Sequence, residues 1–590
     1  MATKDNLKKD AKALLDRKQL QAAKELYIQI CHLDEQDAEA WVTLSALHGA
    51  LHSYDKAEEC CRRALRIRPD FAEAYHNLGN ALKAQGQKVE AVACFREATR
   101  CNPEYVNAYH SMGNVLRDLM RHDEAVASFE QALRIAPNHA PVHYDLGNAF
   151  KAQGKISEAV ASFRRALTHK PDFRLAHGNV VACLNYDPTA DVNTTYEEHV
   201  RWGRAIEAEV APDPRHSNTV DPDRRLRIGY ISRDFRAHSV AYFFEALLSK
   251  CDPEAVENVC YSDVACPDAM TGRLRSLAQI WRDTRDSDDA HLETMIRADR
   301  IDILVDLAGH TTENRLAVFA RKPAPIQVSY LGYPNTTGLS RMDYRLTDAW
   351  ADPPGKHDRY YTETLIRLPN GFVCYTPDRG APPVTALPAS RTGSVTFGSF
   401  NNSVKITPEV VATWAAILRA VPGSRMLCKA YWFADPSIRE RYHRLFEING
   451  VGRECVLLRG QLPEARDHLS VYADVDIALD TFPYNGTTTT CEALWMGVPV
   501  VVLAGDRHAG RVGVSLMHQA GLTELVAGDV GSYVAKAAGL ARDLHALNRM
   551  RAELRPRMSS SLLCDESRLV NDVQAAYRAM WKQWCKEREN

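Results

Sequence analysis

The chain has 590 residues, 45% of them hydrophobic and 25% charged, which is enough for several domains of ordinary globular composition. A formal net charge of −2 provides no overall field to hold nucleic acid or an anionic membrane, and no apolar run approaches the roughly 20 residues that span a bilayer. The N-terminus MATKDNLKKDAK lacks an apolar leader, and the 15 cysteines show no C-x-x-C pair and no metal-ligand spacing, so the expectation is a cytoplasmic protein with reduced thiols, no metal, and no nucleic-acid or membrane partner.

In chain order, the first elements are repeats. Trp41, Tyr75, Tyr109, His143 and His177 stand 34 residues apart, and so do Pro69, Pro103, Pro137 and Pro171. Leu78, Gly79, Ala91, Phe95 and Ala98 return as Met112, Gly113, Ala125, Phe129 and Ala132, then as Leu146, Gly147, Ala159, Phe163 and Ala166. Period and pattern resemble the tetratricopeptide repeat, with two antiparallel helices per unit. Ala23 and Tyr27 fit a weaker first unit, so an array is expected over residues 1–185. Its small residues let helices approach and its aromatics fill the gaps, so these positions are core. The concave face of such a superhelix holds extended peptide, which predicts protein partners and no chemistry.

Residues 186–222 read as a linker. From Leu226 strand-like runs alternate with helical ones: LRIGYIS, VENVCYS, IDILVDLAG, IQVSYLG and YRLTD. This pattern predicts a parallel sheet with covering helices, a first lobe over 223–375. CYTPDRGAPPVTALPASRTGS is rich in Pro, Gly and Ser, and residues 376–392 read as an interlobe linker. A second series over 393–590 contains VTFGSF, SRMLCKA, CVLLRG, DVDIALD and VPVVVLA. A last helix from about Glu566 to Lys586 carries Leu569, Val573, Tyr577, Trp581 and Trp584 on one stripe and is expected to pack back across the lobes. No G-x-G-x-x-G or G-x-x-x-x-G-K-[ST] follows these strands, which argues against dehydrogenase and P-loop chemistry.

The most informative segment is DVDIALDTFPYNGTTTTCEALWMGVPVVVLA, residues 474–504. It reads as strand, polar loop, a helix over Cys491–Met496 ended by Gly497, and a buried strand. Threonine hydroxyls and free N–H groups at a helix start, beyond the carboxyl end of a buried strand, form an anion site. A plain N-cap needs one threonine; four in a row favour a phosphate-bearing ligand. Asp474 and Asp476 form a D-x-D pair, read here as structural because it begins a strand.

The segments RIGYISRDFRAHSVAYF, DILVDLAGHT, RKPAPIQVSYLGYPNTTG, FGSFNNSVKITP and LDTFPYNGTTTTCEALWMGVP, together with the repeats, resemble the protein O-GlcNAc transferase family, with C-terminal motifs close to its SPINDLY branch. The resemblance implies a repeat superhelix followed by a two-lobe doubly wound α/β glycosyltransferase of the GT-B type. It implies inverting transfer of GlcNAc from UDP-GlcNAc to Ser or Thr of proteins, with no metal and no cofactor beyond the donor. It makes Lys405 the phosphate-binding cation, with Asn402 beside it, and Thr488 and Thr489, next to Thr487, the phosphate contacts at the helix start. Glu492 falls where the family carries a ribose-binding aspartate. His238 matches the active-site histidine, His468 one near the donor's base, and His310 is expected at the cleft edge. Gly332 and Tyr333 are expected to bring backbone close to the sugar. The general base stays open between His238 and a donor phosphate oxygen. Thr487 stands where O-GlcNAc transferases usually have histidine, and Glu492 where they have aspartate; the SPINDLY branch, whose donor is GDP-fucose, is the alternative. A non-catalytic repeat scaffold is the rival of a different class.

Overall fold

The computed structural model describes residues 3–212, 215–378, 380–460, 462 and 465–589. The chain forms two compact units, residues 1–176 with 435–438, and residues 177–434 with 439–590.

In the first unit the helices pair in succession: Lys4–Asp16 with Leu20–Leu33, Ala38–Ala50 with Tyr54–Ile67, Ala72–Ala84 with Lys88–Cys101, Val106–Asp118 with His122–Ile135, and Ala140–Ala152 with Ile156–His169. The repeated glycine and phenylalanine are one packing device. A Cβ on Gly79 would stand 2.6 Å from the ring of Phe95, one on Gly113 2.5 Å from Phe129, and one on Gly147 2.6 Å from Phe163. The ring occupies the volume that any larger residue would need. A second periodic feature is conformational. Lys18, His52, Gly86, Met120 and Gly154 all have positive φ, between 58° and 84°, and all close the turn inside a helix pair. Glycine is present at two of these five positions.

The second unit contains two all-parallel sheets. The first holds β1 (Leu226–Ser232), β2 (Val256–Ser262), β3 (Ile280–Asp283), β4 (Ile303–Asp306), β5 (Ile326–Ser329), β6 (Tyr344–Asp348) and β7 (Thr364–Leu368), in the order β3-β2-β1-β4-β5-β6-β7. The second holds β8 (Thr396–Ser399), β9 (Arg425–Lys429), β10 (Val456–Arg459), β11 (Ile477–Leu479), β12 (Val500–Leu503) and β13 (Val526–Ala527), in the order β10-β9-β8-β11-β12-β13. Helices cover the sheets, so central strands such as ILVD and VVVL are buried at every position. β3, β7 and β13 add to the strands expected from sequence; IWRD and VA are too short and too polar or isolated to announce themselves.

Several expectations change. Val192–Ala208, inside the expected linker, is a helix that buries Thr195, His199, Trp202, Gly203 and Ile206. Its polar surface hides a narrow stripe, and Gly203 lies so close to the Gly338 carbonyl that a Cβ would stand 1.9 Å from it. β11 is confined to Ile477–Leu479, so the D-x-D pair precedes the strand instead of beginning it. Asp476 accepts from the Ala389 and Thr396 N–H groups at 2.9 and 2.8 Å, and Asp474 pairs with Arg459 at 3.3 Å. The last helix, Glu566–Glu589, does return to the first lobe: Trp581 Nε1 donates to the Asp221 carbonyl at 2.9 Å, and Arg578 donates to the carbonyls of Pro222 and Arg224.

Candidate active site

A cavity of about 340 Å³ lies between the two lobes, at the carboxyl ends of their strands. His238, Gly332, Asn402, Lys405, Thr487, Thr488 and Thr489 line it, joined by Thr311, Phe372, Asn401, Tyr484 and His508. Seven sequence-predicted positions from four separate segments thus meet at one site.

Lys405 ends the helical turn Ser403–Lys405 after β8. Its Nζ donates to the Asn485 carbonyl at 2.6 Å and stands 3.9 Å over the Tyr484 ring. Burial pulls the ammonium below its ordinary value, against the opposing pull of the Asp480 carboxylate. Burial likewise raises Asp480, opposed by the Gly486 N–H and Lys405. Asp480 Oδ1 accepts from the Thr481 and Gly486 N–H groups at 2.8 and 2.6 Å, which fixes the loop ahead of the threonines.

The threonine helix begins earlier than its apolar pattern suggests, at Thr488, and runs to Trp495. Its first backbone bond joins the Cys491 N–H to the Thr487 carbonyl at 3.1 Å, so the N–H groups ahead of Cys491 are left to another partner. The Thr488 hydroxyl is buried with no hydrogen bond among the described residues, whereas the Thr489 hydroxyl donates to Asn401 at 3.0 Å. Gly497 closes the helix with φ of 77°. An open helix start beside an ammonium is an arrangement for a di-anionic group. Asn402, exposed on the cleft, accepts from the Val404 N–H at 3.1 Å and so shapes the turn that carries Lys405.

His238 caps the helix Ser239–Ser249, Nδ1 accepting from the Val240 N–H at 3.3 Å. Asp234 Oδ2 lies 3.7 Å from Nδ1, and burial lowers the imidazole's pKa despite that carboxylate.

His310 does not reach the cleft. It is buried, donates from Nε2 to the Thr337 carbonyl at 2.7 Å, and packs edge-on against Trp202 with ring centroids 4.4 Å apart. The helix 192–208, unforeseen in the sequence, covers it. The Tyr333 ring also points into this cluster: its hydroxyl accepts from Asn185 at 2.7 Å and lies 2.8 Å from Nε2 of His199. Gly332 does line the cavity, but its size is dictated from behind, since a Cβ would stand 1.9 Å from the Leu307 carbonyl.

Glu492 lies one turn into the threonine helix and is already engaged. His468 Nε2 donates to it at 2.8 Å and the Tyr472 hydroxyl at 3.4 Å. Lys429, at the end of β9, contacts Nδ1 of His468 from the other side. Burial lowers Lys429 to about 8, opposed by Glu492. Lysine, imidazole and carboxylate therefore form a polarised chain. Lys429 was missed because nothing in SRMLCKA distinguishes it from a strand-end surface lysine.

The residues 210–377 and 386–573 match a family model described as glycosyl transferase family 41, and residues 36–104 and 104–172 match a tetratricopeptide repeat model. The chain is 45% identical over 419 residues to the tomato (Solanum lycopersicum) protein named probable UDP-N-acetylglucosamine–peptide N-acetylglucosaminyltransferase SPINDLY, covering 70% of this chain and 45% of that one. It is 31% identical over 377 residues to the Arabidopsis thaliana protein of the same descriptive name, SEC, covering 61% of this chain and 38% of that one. The chain thus spans less than half the length of these curated relatives. A mutant of Thermobaculum terrenum O-GlcNAc transferase superposes with a TM-score of 0.78 at 37% identity, over 88% of this chain and 98% of that one.

Proposed function

The chain belongs to glycosyl transferase family 41, and on that premise we propose that it moves a sugar from a nucleoside diphosphate to Ser or Thr of protein acceptors, with inversion. The observation that carries the reading is Lys405 beside the open start of the helix Thr488–Trp495, inside an interlobe cavity of a size usual for ligand sites. The departing diphosphate gains charge as the glycosidic bond breaks, and a fixed ammonium with aligned N–H groups stabilises it most at that moment. This supplies the positive charge that a metal supplies elsewhere, so the reading assigns no metal and no cofactor. No carboxylate lines the cavity among the described residues. Removal of the acceptor proton therefore falls to His238 or to a donor phosphate oxygen. The repeat unit is assigned to acceptor recruitment. No described helix is long and apolar enough to cross a membrane. The reading places the protein in the cytoplasm, where cysteines stay as reduced thiols, and the cysteines form no disulfide among the described residues.

For the donor, UDP-GlcNAc is the family default and the sugar nucleotide in the relatives' printed names. GDP-fucose is the second reading. It is favoured by Thr487 and Glu492, where O-GlcNAc transferases usually have histidine and aspartate, and by the high identity to a SPINDLY protein. A thermal-shift panel of UDP, GDP, UDP-GlcNAc and GDP-fucose tests both. The true nucleotide at a hundredfold excess over its Kd stabilises by about 2.7 kcal/mol, a shift of several degrees. A large shift with GDP and none with UDP would overturn the GlcNAc assignment, and no shift with any would sink the transferase reading.

A further inference from the structure

His508 lines the same cavity as Lys405 and His238, yet the reading above gives it nothing to do. It opens the helical turn His508–Gly510 beyond β12. This turn is tied to the loop ahead of the threonine helix, because the Asn485 N–H donates to the Ala509 carbonyl at 2.9 Å. The imidazole packs on Phe372 of the first lobe, ring centroids 5.1 Å apart, and its Nδ1 lies 2.6 Å from Oδ2 of Asp352.

Asp352 is fully buried and held from several sides. The Thr347 hydroxyl donates to Oδ2 at 2.5 Å and the Tyr361 hydroxyl to Oδ1 at 3.0 Å, while Nδ1 of His357 lies 3.2 Å from Oδ1. A carboxylate fixed in this way sets the tautomer and the orientation of the ring beside it: Nδ1 carries the proton towards Asp352. Nε2 makes no hydrogen bond to any described residue and remains as the polar atom that the ring can offer the cavity.

The position of His508 along the ligand follows from the other polar groups. On the transferase reading the diphosphate sits at Lys405 and Thr487–Thr489, and the nucleoside lies toward Glu492 and His468, a turn further along the helix and outside the cavity lining. What continues past the diphosphate, toward the wall of Gly332, Phe372 and His508, is the transferred sugar. We infer that His508 is a further donor-contacting residue, whose Nε2 accepts a hydrogen bond from a hydroxyl of the transferred sugar, and that Asp352 is its positioning residue. This rests on the transferase reading and goes beyond it by assigning sugar recognition to a carboxylate–imidazole pair that joins the two lobes. A purely structural pair would hold the lobes together and leave sugar recognition untouched.

The test compares full-length wild type with His508→Gln and Asp352→Asn, measuring affinity for a nucleotide sugar and for its bare nucleotide diphosphate (UDP-GlcNAc with UDP, GDP-fucose with GDP). Loss of one neutral hydrogen bond should weaken the sugar nucleotide about tenfold while the bare nucleotide stays within about twofold. Equal loss of both ligands, or no loss of either beside a lowered Tm, overturns the inference and leaves the transferase reading standing. A wild type that binds none of the four sinks the transferase reading and this inference with it. Should neither variant fold, wild type labelled with 15N-histidine decides. A His508 Nε2 resonance that moves with the sugar nucleotide but not with the bare nucleotide supports the contact, and one that moves equally with both refutes it.

Discussion

At Lys405 an ammonium, an aromatic face and a backbone carbonyl meet within one turn of the threonine helix. Lys405→Met removes the charge while keeping the length of the side chain, so the fold should persist. Turnover on a protein acceptor should fall about 10²–10³-fold, the usual cost of removing one donor from a developing oxyanion. Near-normal turnover by a folded Lys405→Met protein would show that the diphosphate does not lie there. His238 makes a different demand. If it handles the acceptor proton, His238→Ala should lower turnover about 10²–10⁴-fold with nucleotide affinity nearly unchanged. Parallel loss of nucleotide binding would make it a donor-binding residue instead. Both residues were legible in the sequence because each sits in a local motif. Lys429 and His508 were not, because their meaning comes from partners 39 and 156 residues away.

At the scale of elements, the repeat helices share a turn that the residue pattern does not show. Gly86 has φ of 84° with open space where a Cβ would go. Gly86→Ala should therefore cost about 1 kcal/mol through backbone strain alone. Chemical denaturation of the variant measures this, and an unchanged midpoint would mean that the turn relaxes. The helix 192–208 supplies a second test. Burial lowers His199 to about 4 and His310 well below its ordinary value. Both imidazoles are thus neutral in the fold but take up protons in the unfolded chain as pH drops through about 6.5. The unfolded state then binds more protons, so stability falls with falling pH, by up to about 1.4 kcal/mol per pH unit for each group. The His199 contribution levels off near pH 4. Tm should drop between pH 7 and pH 5, and His199→Gln should lose less over that range. Equal losses would mean that other groups govern acid stability.

For the whole molecule, the division at residue 177 matters more than the expected end of the array at 185. Asn185 holds Tyr333, Tyr186 stacks on Tyr484 at 5.0 Å, and the Ala190 carbonyl accepts from Arg507 at 2.7 Å. A shortened protein must therefore begin before these residues, at about Pro171. Such a form should bind nucleotide like the full chain, because every cavity-lining residue lies downstream. It should lose activity on protein acceptors, since binding remote from the reacting atoms no longer contributes to transition-state stabilisation. Undiminished protein glycosylation would refute recruitment by the repeats.

Two kinds of information were complete in the amino-acid order. One was periodic: the 34-residue spacing and the alternating apolar runs determined the array and two parallel lobes, because burying a regular surface requires a regular pattern. The other was local: Gly486 to Thr490 and the NNSVK turn carry their chemistry within a few residues of backbone. Only the tertiary structure decided which polar residues face the cavity. His310 and His508 both follow buried strands in glycine-containing loops, yet one is sealed beneath a helix and the other lines the cleft. Packing from segments more than a hundred residues away makes that choice, and no short-range pattern encodes it.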